Sequence, residues 1–481
     1  MASLATTFLS KSEQDLIHEK SIECLEQVGI RVDSESVLEL LEKGGASVDY
    51  ENYRAKIPAK MVNQALEAVP KEFTLCGRDP KHDLEIPTRS YPYATTNGLC
   101  PFVKDYETGD YRYSTRKDLA SFTRLGDALD SIDFLWTSMS PTDVPPLSDG
   151  PHTLWTTMQN TSKHVQGVTV QTAEAARIQI ELAALLAGGK EELRKRPIFS
   201  MVVCPIAPLS FEKRAIESQV EFARAGVPVV GLAMPSGGLS APITVAGMML
   251  TANAENLASL TITQTAAPGA PYIFRSETSP MNMADGSFDY DAPEFGLIFS
   301  GMGQMTRRYN LPSFNGDFSG FQIAGEHRDS MFKSFIMYCA CSAPTDIVAG
   351  LGGIDDAKGV CFKQLLIDAY TWECCREYLK PVDINEEKLG LDALREIGPR
   401  GTFLTHAHTR KYLRKELIRL DEGKRELLAM EKEEQGERAG ELVSKILEEH
   451  RVTPLEESIV RKGDKIIEAF EKKCAERAYA R

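Results

Sequence analysis

The sequence predicts an α/β fold of the closed (β/α)8 barrel type, because eight short runs rich in β-branched and aromatic residues alternate with helical stretches through the middle of the chain. The runs are Tyr93 to Val103, Phe134 to Met139, His164 to Val170, Ile198 to Cys204, Val227 to Ala233, Tyr272 to Glu277, Leu311 to Asp317 and Thr345 to Gly350. A parallel crossover takes a dozen or more residues and is usually a helix. Eight such units fit a barrel over residues 91–409, and in such barrels the chemistry lies at the carboxyl ends of the strands and in the loops that follow.

Ahead of the barrel, residues 1–90 read as a helical preface. A helix begins at Ser12, which can cap it; Glu13 and Asp15 fall in the first turn, where the helix dipole favours acid, and Ile17, Leu25 and Val28 form part of an apolar stripe. Shorter helices follow over Ser34 to Glu42 and Pro58 to Ala68. Behind the barrel, residues 410–481 carry Lys, Arg, Glu and Leu at helical spacing, with Leu413, Leu417 and Leu420, then Leu442, Ile446 and Leu447, as the apolar positions. Helices of this kind pack across a barrel or at a subunit interface with their charges solvated, so one integrated domain and a homodimer or larger assembly are expected.

Composition narrows the function. The 481 residues carry a formal net charge of −14 and no block of Lys and Arg long enough to follow a phosphate backbone, which argues against a nucleic-acid partner. No apolar run approaches the roughly 20 residues of a membrane span. The opening stretch, MASLATTFLSKSEQ, lacks the charged and apolar regions of a signal peptide, so a cytoplasmic protein is expected. The 10 cysteines form no CxxC pair and no zinc-ribbon spacing, and reduced core thiols are expected.

Several strand ends carry polar residues: Asn97 before Gly98 in the first, Thr169 and Gln171 in the third, Glu277 in the sixth, and Asn315, Gly316 and Asp317 in the seventh. A buried carboxylate is costly unless paired or used, so Glu277 and Asp317 are candidates for a site, with a structural ion pair or a helix cap as the alternative. After the seventh strand, Phe318 and Phe321 precede His327 and Arg328 in one loop, a grouping suited to a cation cage beside an anion clamp, although both phenylalanines read equally well as core. The loop from Pro235 to Pro242 carries Gly237 and Gly238 and runs into a helix, whose amino terminus favours an anion. No GxGxxG or GxxxxGK[ST] is present, so no bound nucleotide is expected.

Thr405-His406-Ala407-His408-Thr409 is the one histidine pair with the look of metal ligation, since alternate residues on an extended segment face one way. It follows all eight strands, and a two-metal site would need His152, His164 or His327 to converge on it; a lid or hydrogen-bonding wall over the barrel mouth is the preferred reading, with no bound metal expected.

Three stretches resemble the trimethylamine methyltransferase family. They are Ala68-Val-Pro-Lys-Glu-Phe-Thr-Leu-Cys-Gly-Arg-Asp-Pro80, Pro242-Ile-Thr-Val-Ala-Gly-Met-Met-Leu-Thr-Ala-Asn-Ala-Glu-Asn-Leu-Ala258 and Ile397-Gly-Pro-Arg-Gly-Thr-Phe-Leu-Thr-His-Ala-His-Thr409, in family order over nearly the whole chain. The resemblance implies a barrel that passes a substrate methyl group to the cobalt of a separate corrinoid protein. Family members acting on trimethylamine carry pyrrolysine in the barrel, whereas this chain has only standard residues. Members of that second kind look like demethylases of quaternary amines such as glycine betaine, proline betaine, carnitine or γ-butyrobetaine, with glycine betaine the first choice here. A quaternary nitrogen already carries positive charge and leaves as a neutral tertiary amine, so no activating adduct is needed.

The implied mechanism is in-line attack of reduced cobalt on the methyl carbon, for which the enzyme supplies mainly orientation and no general base. Gripping the cation too tightly opposes its loss of charge in the transition state, so aromatic walls are preferred to a close carboxylate pair. On that argument Phe318 and Phe321 are the cage, His327 with Arg328 or Arg275 takes the substrate carboxylate, and Asn97, Glu277 and Asp317 orient. His408, Gly237 and Gly238 face the corrinoid. The corrinoid itself is expected on a small partner protein, because the nearest approach to Asp-x-His-x-x-Gly, Ser162-Lys163-His164-Val165-Gln166-Gly167, has Ser in first place and lies in a predicted strand. Two rivals remain: a metal-dependent hydrolase using His406 and His408, and a non-catalytic betaine-binding protein.

Overall fold

The computed structural model describes residues 6–168, 172–290, 292–319, 331–380, 382–416 and 421–479. Eight parallel strands form the barrel: β1 (Tyr93–Thr96), β2 (Leu135–Trp136), β3 (Val165–Gly167), β4 (Phe199–Val203), β5 (Val229–Ala233), β6 (Tyr272–Ser276), β7 (Ser313–Asp317) and β8 (Ile347–Leu351). They follow one another in sequence order from β2 to β8, and β8 pairs back onto β1. The seam between β1 and β2 closes by a bridge from Thr95 to Phe134. Side chains stitch it: the Thr95 hydroxyl donates to the Phe134 carbonyl at 2.9 Å and accepts from the Trp136 amide at 2.9 Å.

A helix follows every strand: α1 (Arg116–Ala128), α2 (Asp149–Gln159), α3 (Ala173–Ala187), α4 (Lys213–Ala225), α5 (Val245–Ala266), α6 (Pro293–Arg308), α7 (Met331–Ser342) and α8 (Phe362–Leu379). Helix α5 is buried on nearly every face, since the barrel lies on one side and the amino-terminal helices Lys11–Gln27 and Ala59–Ala68 cover the other. That is why its sequence lacks an amphipathic stripe. Its polar residues have specific partners: Asn253 donates to the Ser21 and Tyr309 hydroxyls at 2.9 Å each, and Asn256 donates to the Arg275 carbonyl at 2.8 Å.

The first strand ends earlier than the sequence run. The chain turns at Gly98 and Leu99, which has φ of +62°, and a separate strand, Phe102–Lys104, pairs with Tyr111–Tyr113. The preface is also less helical than its composition implies. Ser10, rather than Ser12, caps the first helix through a reciprocal bond with Glu13. Three-residue strands at Ile30–Val32, Ser47–Asp49 and Arg54–Lys56 form a small sheet with Ser210–Phe211. A hairpin, Phe73–Leu75 with Leu84–Ile86, plugs the amino-terminal end of the barrel, its Leu75, Leu84 and Ile86 joining lumen residues Phe134, Val230 and Ile273 in one core.

At the other end of the chain, helix Lys432–Glu449 packs on α8 and α1, and helix Glu457–Tyr479 packs on α3 and α2. No described helix is long and apolar enough to cross a membrane.

Candidate active site

Strand β6 delivers two charged side chains to the barrel lumen, because residues two apart on a strand share a face. Arg275 is 1 % exposed, and its guanidinium carbon lies 4.0 Å from the centre of the Phe314 ring and 4.5 Å from that of Trp136. One terminal nitrogen, Nη2, donates to Glu277 Oε2 at 2.8 Å and to Asp317 Oδ2 at 3.4 Å. Asp317 Oδ1 accepts from the Ser319 amide at 2.8 Å and from the Ser319 hydroxyl. Glu277 Oε1 accepts from the Tyr290 hydroxyl at 3.0 Å.

A bulge brings Asp317 into this group. The register between β7 and β8 shifts between Phe314 and Asp317, and Gly316 takes φ of +130°. The irregularity breaks strict alternation, so Phe314 and Asp317 both face Arg275. Gly350 completes the arrangement: at φ of +95°, a β-carbon there meets Phe318 N at 2.4 Å and Asp317 Oδ1 at 2.6 Å.

One guanidinium therefore serves two buried carboxyl groups. Burial first, and then the neighbouring Asp317, push the Glu277 carboxyl up to about 7, against the pull of Arg275 and Tyr290. The Tyr290 phenol is raised well above its ordinary value by burial and by Glu277. Around the cluster, Arg275 Nη1, Trp136 Nε1, Gln166 Nε2 and Asn315 Nδ2 are buried with no hydrogen-bond partner among the described residues. A buried donor is expensive unless it is paired, so these groups are candidates to meet a ligand.

Asn97, Arg275, Glu277 and Asp317 thus come together at the carboxyl end of the barrel. Asn97 joins from β1: its amide nitrogen contacts Cys100 Sγ at 3.1 Å, and Gly353 separates it from Ser319. Phe318 departs from the cage expectation. It is buried outside the lumen, with its ring 5.5 Å from that of Trp372 on α8, because the bulge turns it outward. Phe321, His327 and Arg328 lie outside the described residues, as do Thr169 and Gln171. Gly237 is buried beneath Met248, whose sulfur lies 2.4 Å from the position of a β-carbon, and Gly238 takes φ of +89° at the rim.

The histidine pair does not form a paired-imidazole face. His406 Nδ1 accepts from the His408 amide at 3.1 Å, capping the short helix Ala407–Tyr412, while its Nε2 faces Glu396 at 3.2 Å. The His408 ring instead packs on Tyr412. His164 is likewise committed elsewhere, donating to the Cys76 carbonyl at 2.9 Å and contacting Ser200 Oγ at 3.0 Å at the plugged end; burial lowers it to about 4. Among the described residues no group of His, Cys, Asp and Glu is placed to hold a metal ion.

Trp136, Gln166, Tyr290 and Phe314 escaped the sequence reading. Gln166 carried a signal, as a polar residue inside an otherwise apolar strand; the aromatic residues looked like core.

A family model described as Trimethylamine methyltransferase (MTTB) matches residues 3–474. The chain belongs to the trimethylamine methyltransferase family. It is 30 % identical over 475 residues to trimethylamine methyltransferase MttB of Desulfitobacterium hafniense strain DCB-2, covering 96 % of this chain and 93 % of that one. It is 26 % identical over 410 residues to a glycine betaine methyltransferase of another strain of that species, covering 85 % of each. A solved structure, that of the monomethylamine methyltransferase MtmB of Methanosarcina barkeri, is 12 % identical with a TM-score of 0.48 over 93 % of this chain and 96 % of that one. As a member of the trimethylamine methyltransferase family, this chain is an enzyme that transfers methyl groups. Two of the stretches that carry the family resemblance support the site from behind: Phe73–Leu75 plugs the lumen, and Asn256 on α5 holds the Arg275 backbone.

Proposed function

We propose that this methyltransferase moves a methyl group from a quaternary amine bearing a carboxylate, glycine betaine first, to cobalt(I) of a separate corrinoid protein. The carrying observation is the charge balance at the barrel mouth, where, among the described residues, the one Arg275 guanidinium faces both Glu277 and Asp317. A permanent cation supplies the missing positive charge. The ring faces of Trp136 and Phe314 already hold Arg275, so the described aromatic groups fix the guanidinium rather than the substrate. Arg275 Nη1, buried with no partner among the described residues, is the donor available to a substrate carboxylate.

In the transfer, the carbon–nitrogen bond breaks with its electron pair left on nitrogen, and the methyl carbon bonds to the acceptor. No proton moves, so neither Glu277 nor Tyr290 acts as an acid or base. Their work is to hold the cation with its methyl group aimed out of the barrel, and the neutral product loses the attraction that held the substrate. The absence of pyrrolysine supports a quaternary substrate over trimethylamine. Around Gly238, the exposed apolar side chains of Leu239, Ile243 and Met283 form a rim suited to the broad face of a corrinoid ring.

The test uses the purified protein, a corrinoid protein held in the cobalt(I) state, and glycine betaine, proline betaine, carnitine, γ-butyrobetaine and trimethylamine in turn. The visible spectrum of the corrinoid protein is expected to change with one or more betaines and not with trimethylamine. No change with any betaine, using a corrinoid protein competent with another methyltransferase, overturns the proposal.

A further inference from the structure

We infer that Cys100 is a positioning residue of the barrel mouth, which turns the nitrogen of the Asn97 side-chain amide away from the substrate and presents its carbonyl oxygen to the quaternary ammonium; the inference rests on the proposed function. Asn97 follows β1 and shares a face with Tyr93, which packs against the lumen core. Its Nδ2 donates to Cys100 Sγ at 3.1 Å. Cys100 Sγ donates in turn to the Ala357 carbonyl at 3.2 Å, with the Gly98 carbonyl farther off at 3.8 Å. Both side chains are buried.

The direction of this chain of contacts is set by chemistry. A thiol has one hydrogen, and the nearer carbonyl, that of Ala357, takes it. The sulfur then offers lone pairs to Asn97, which attract an amide nitrogen and repel an amide oxygen. Burial and the Asp317 carboxylate push the Cys100 thiol up, against the pull of the Asn97 amide, so the sulfur keeps its proton. Because the amide is planar, Asn97 Oδ1 lies on its far side from Cys100.

The carbonyl that takes the thiol proton is held by unusual backbone. Asp355, Asp356 and Ala357 take φ of +54°, +50° and +63°, three successive left-handed residues with no glycine among them. Such backbone is unfavourable and persists only where its surroundings over-determine it. Here the Tyr111 hydroxyl donates to Asp355 Oδ2 at 2.8 Å, and the flanking strands Gly353–Ile354 and Gly359–Cys361 are tied to Phe102–Lys104. Gly353 admits Asn97 to the site: a β-carbon there meets Asn97 Nδ2 at 2.9 Å and Ser319 Oγ at 3.0 Å, and the Ser319 hydroxyl donates to Asp317. Methyl groups on a quaternary nitrogen share its charge and are weak donors to oxygen. A neutral carbonyl orients them without the tight grip of a carboxylate, whereas an amide nitrogen in its place repels them.

The test is a double-mutant cycle on kcat/KM, run with whichever betaine or amine the corrinoid assay identifies, beside the infrared S–H band of Cys100, read without substrate as wild type minus Cys100→Ser. Cys100→Ala is expected to lower kcat/KM by about tenfold or more, mainly through kcat, because the methyl group is misaimed. Cys100→Ser is expected to recover most of that loss, since a hydroxyl donates and accepts in the same way. Cys100→Ala combined with Asn97→Leu is expected to lose no more than Asn97→Leu alone, because Cys100 acts through Asn97. The S–H band is expected at a lower frequency than that of a free thiol. Additive losses, no advantage of serine over alanine, or a free-thiol frequency overturns the inference. Failure of every betaine overturns the proposed function instead, and the infrared band still decides whether Cys100 holds Asn97 as described.

Discussion

Arg275 on the sixth barrel strand and Glu277 just past its end meet at 2.8 Å inside the lumen, where neither side chain is more than 6 % exposed. Desolvating two charges is expensive, and one such pair is weak evidence for stability. Its meaning lies in the third partner. Asp317 shares the same guanidinium nitrogen at 3.4 Å, so one guanidinium faces two buried carboxyl groups.

Arg275→Ala is expected to abolish activity and to lower unfolding stability by about 3–5 kcal/mol, since it leaves carboxyl groups buried without their partner. Arg275→Lys retains the charge but loses the planar fork and the stacking on Trp136 and Phe314. The expected result is a rise of about tenfold or more in KM for a betaine with a smaller loss of stability. Denaturant titration beside steady-state kinetics separates the two variants.

The Glu277 carboxyl, raised to about 7, gives the site a pH dependence of defined sign. A bound cation favours the ionised form, so KM for a quaternary amine is expected to rise by roughly tenfold per unit as pH falls below that value. Glu277→Gln is expected to remove the dependence and leave KM high throughout. Stability runs oppositely. The folded protein keeps this proton over a range where the unfolded chain has lost it, so between the ordinary glutamate range and about 7 the group's contribution falls as pH rises.

Phe318→Leu is expected to reduce stability by about 1–3 kcal/mol and to leave KM unchanged, because that ring packs on Trp372 outside the lumen. Trp136→Leu is expected to raise KM, because it removes one face of the Arg275 sandwich. The two variants compared by kinetics and thermal melting show where the recognising aromatic groups lie.

Gly98→Ala tests the packing behind that tryptophan. A β-carbon at Gly98 lies 2.3 Å from Trp136 Cε2, a rigid neighbour that has to move. The expected outcome is a destabilisation of about 1–3 kcal/mol, with a shifted tryptophan fluorescence maximum and weakened substrate binding.

Much of the barrel was legible because each strand is a short apolar run between helices, and β4 to β8 fall where the runs lie. The three helices read in the preface are present as Lys11–Gln27, Glu35–Gly44 and Ala59–Ala68, while its strands were missed because they, like Arg54–Lys56, are three residues long and show no period. Glu277 and Asp317 were visible as charged residues ending apolar runs. Phe318 reads as a cage wall from the make-up of the loop after β7, with core as the equal alternative, and it is core, because the bulge at Gly316 turns it outward. Trp136 and Phe314 were indistinguishable from core until Arg275 was seen between them. The side-chain period of a strand says which residues share a face, but not which face surrounds a charge.

If the barrel mouth selects its substrate by positive charge, an isostere without the ammonium charge must bind more weakly. Calorimetric affinities for glycine betaine and for 3,3-dimethylbutanoate, which replaces the ammonium nitrogen by carbon and keeps the carboxylate, are to be compared at a pH where Glu277 is ionised. Glycine betaine is expected to bind at least about tenfold more tightly, corresponding to about 1.4 kcal/mol, and Glu277→Gln is expected to narrow the difference. Equal affinities in the wild type would contradict selection by positive charge.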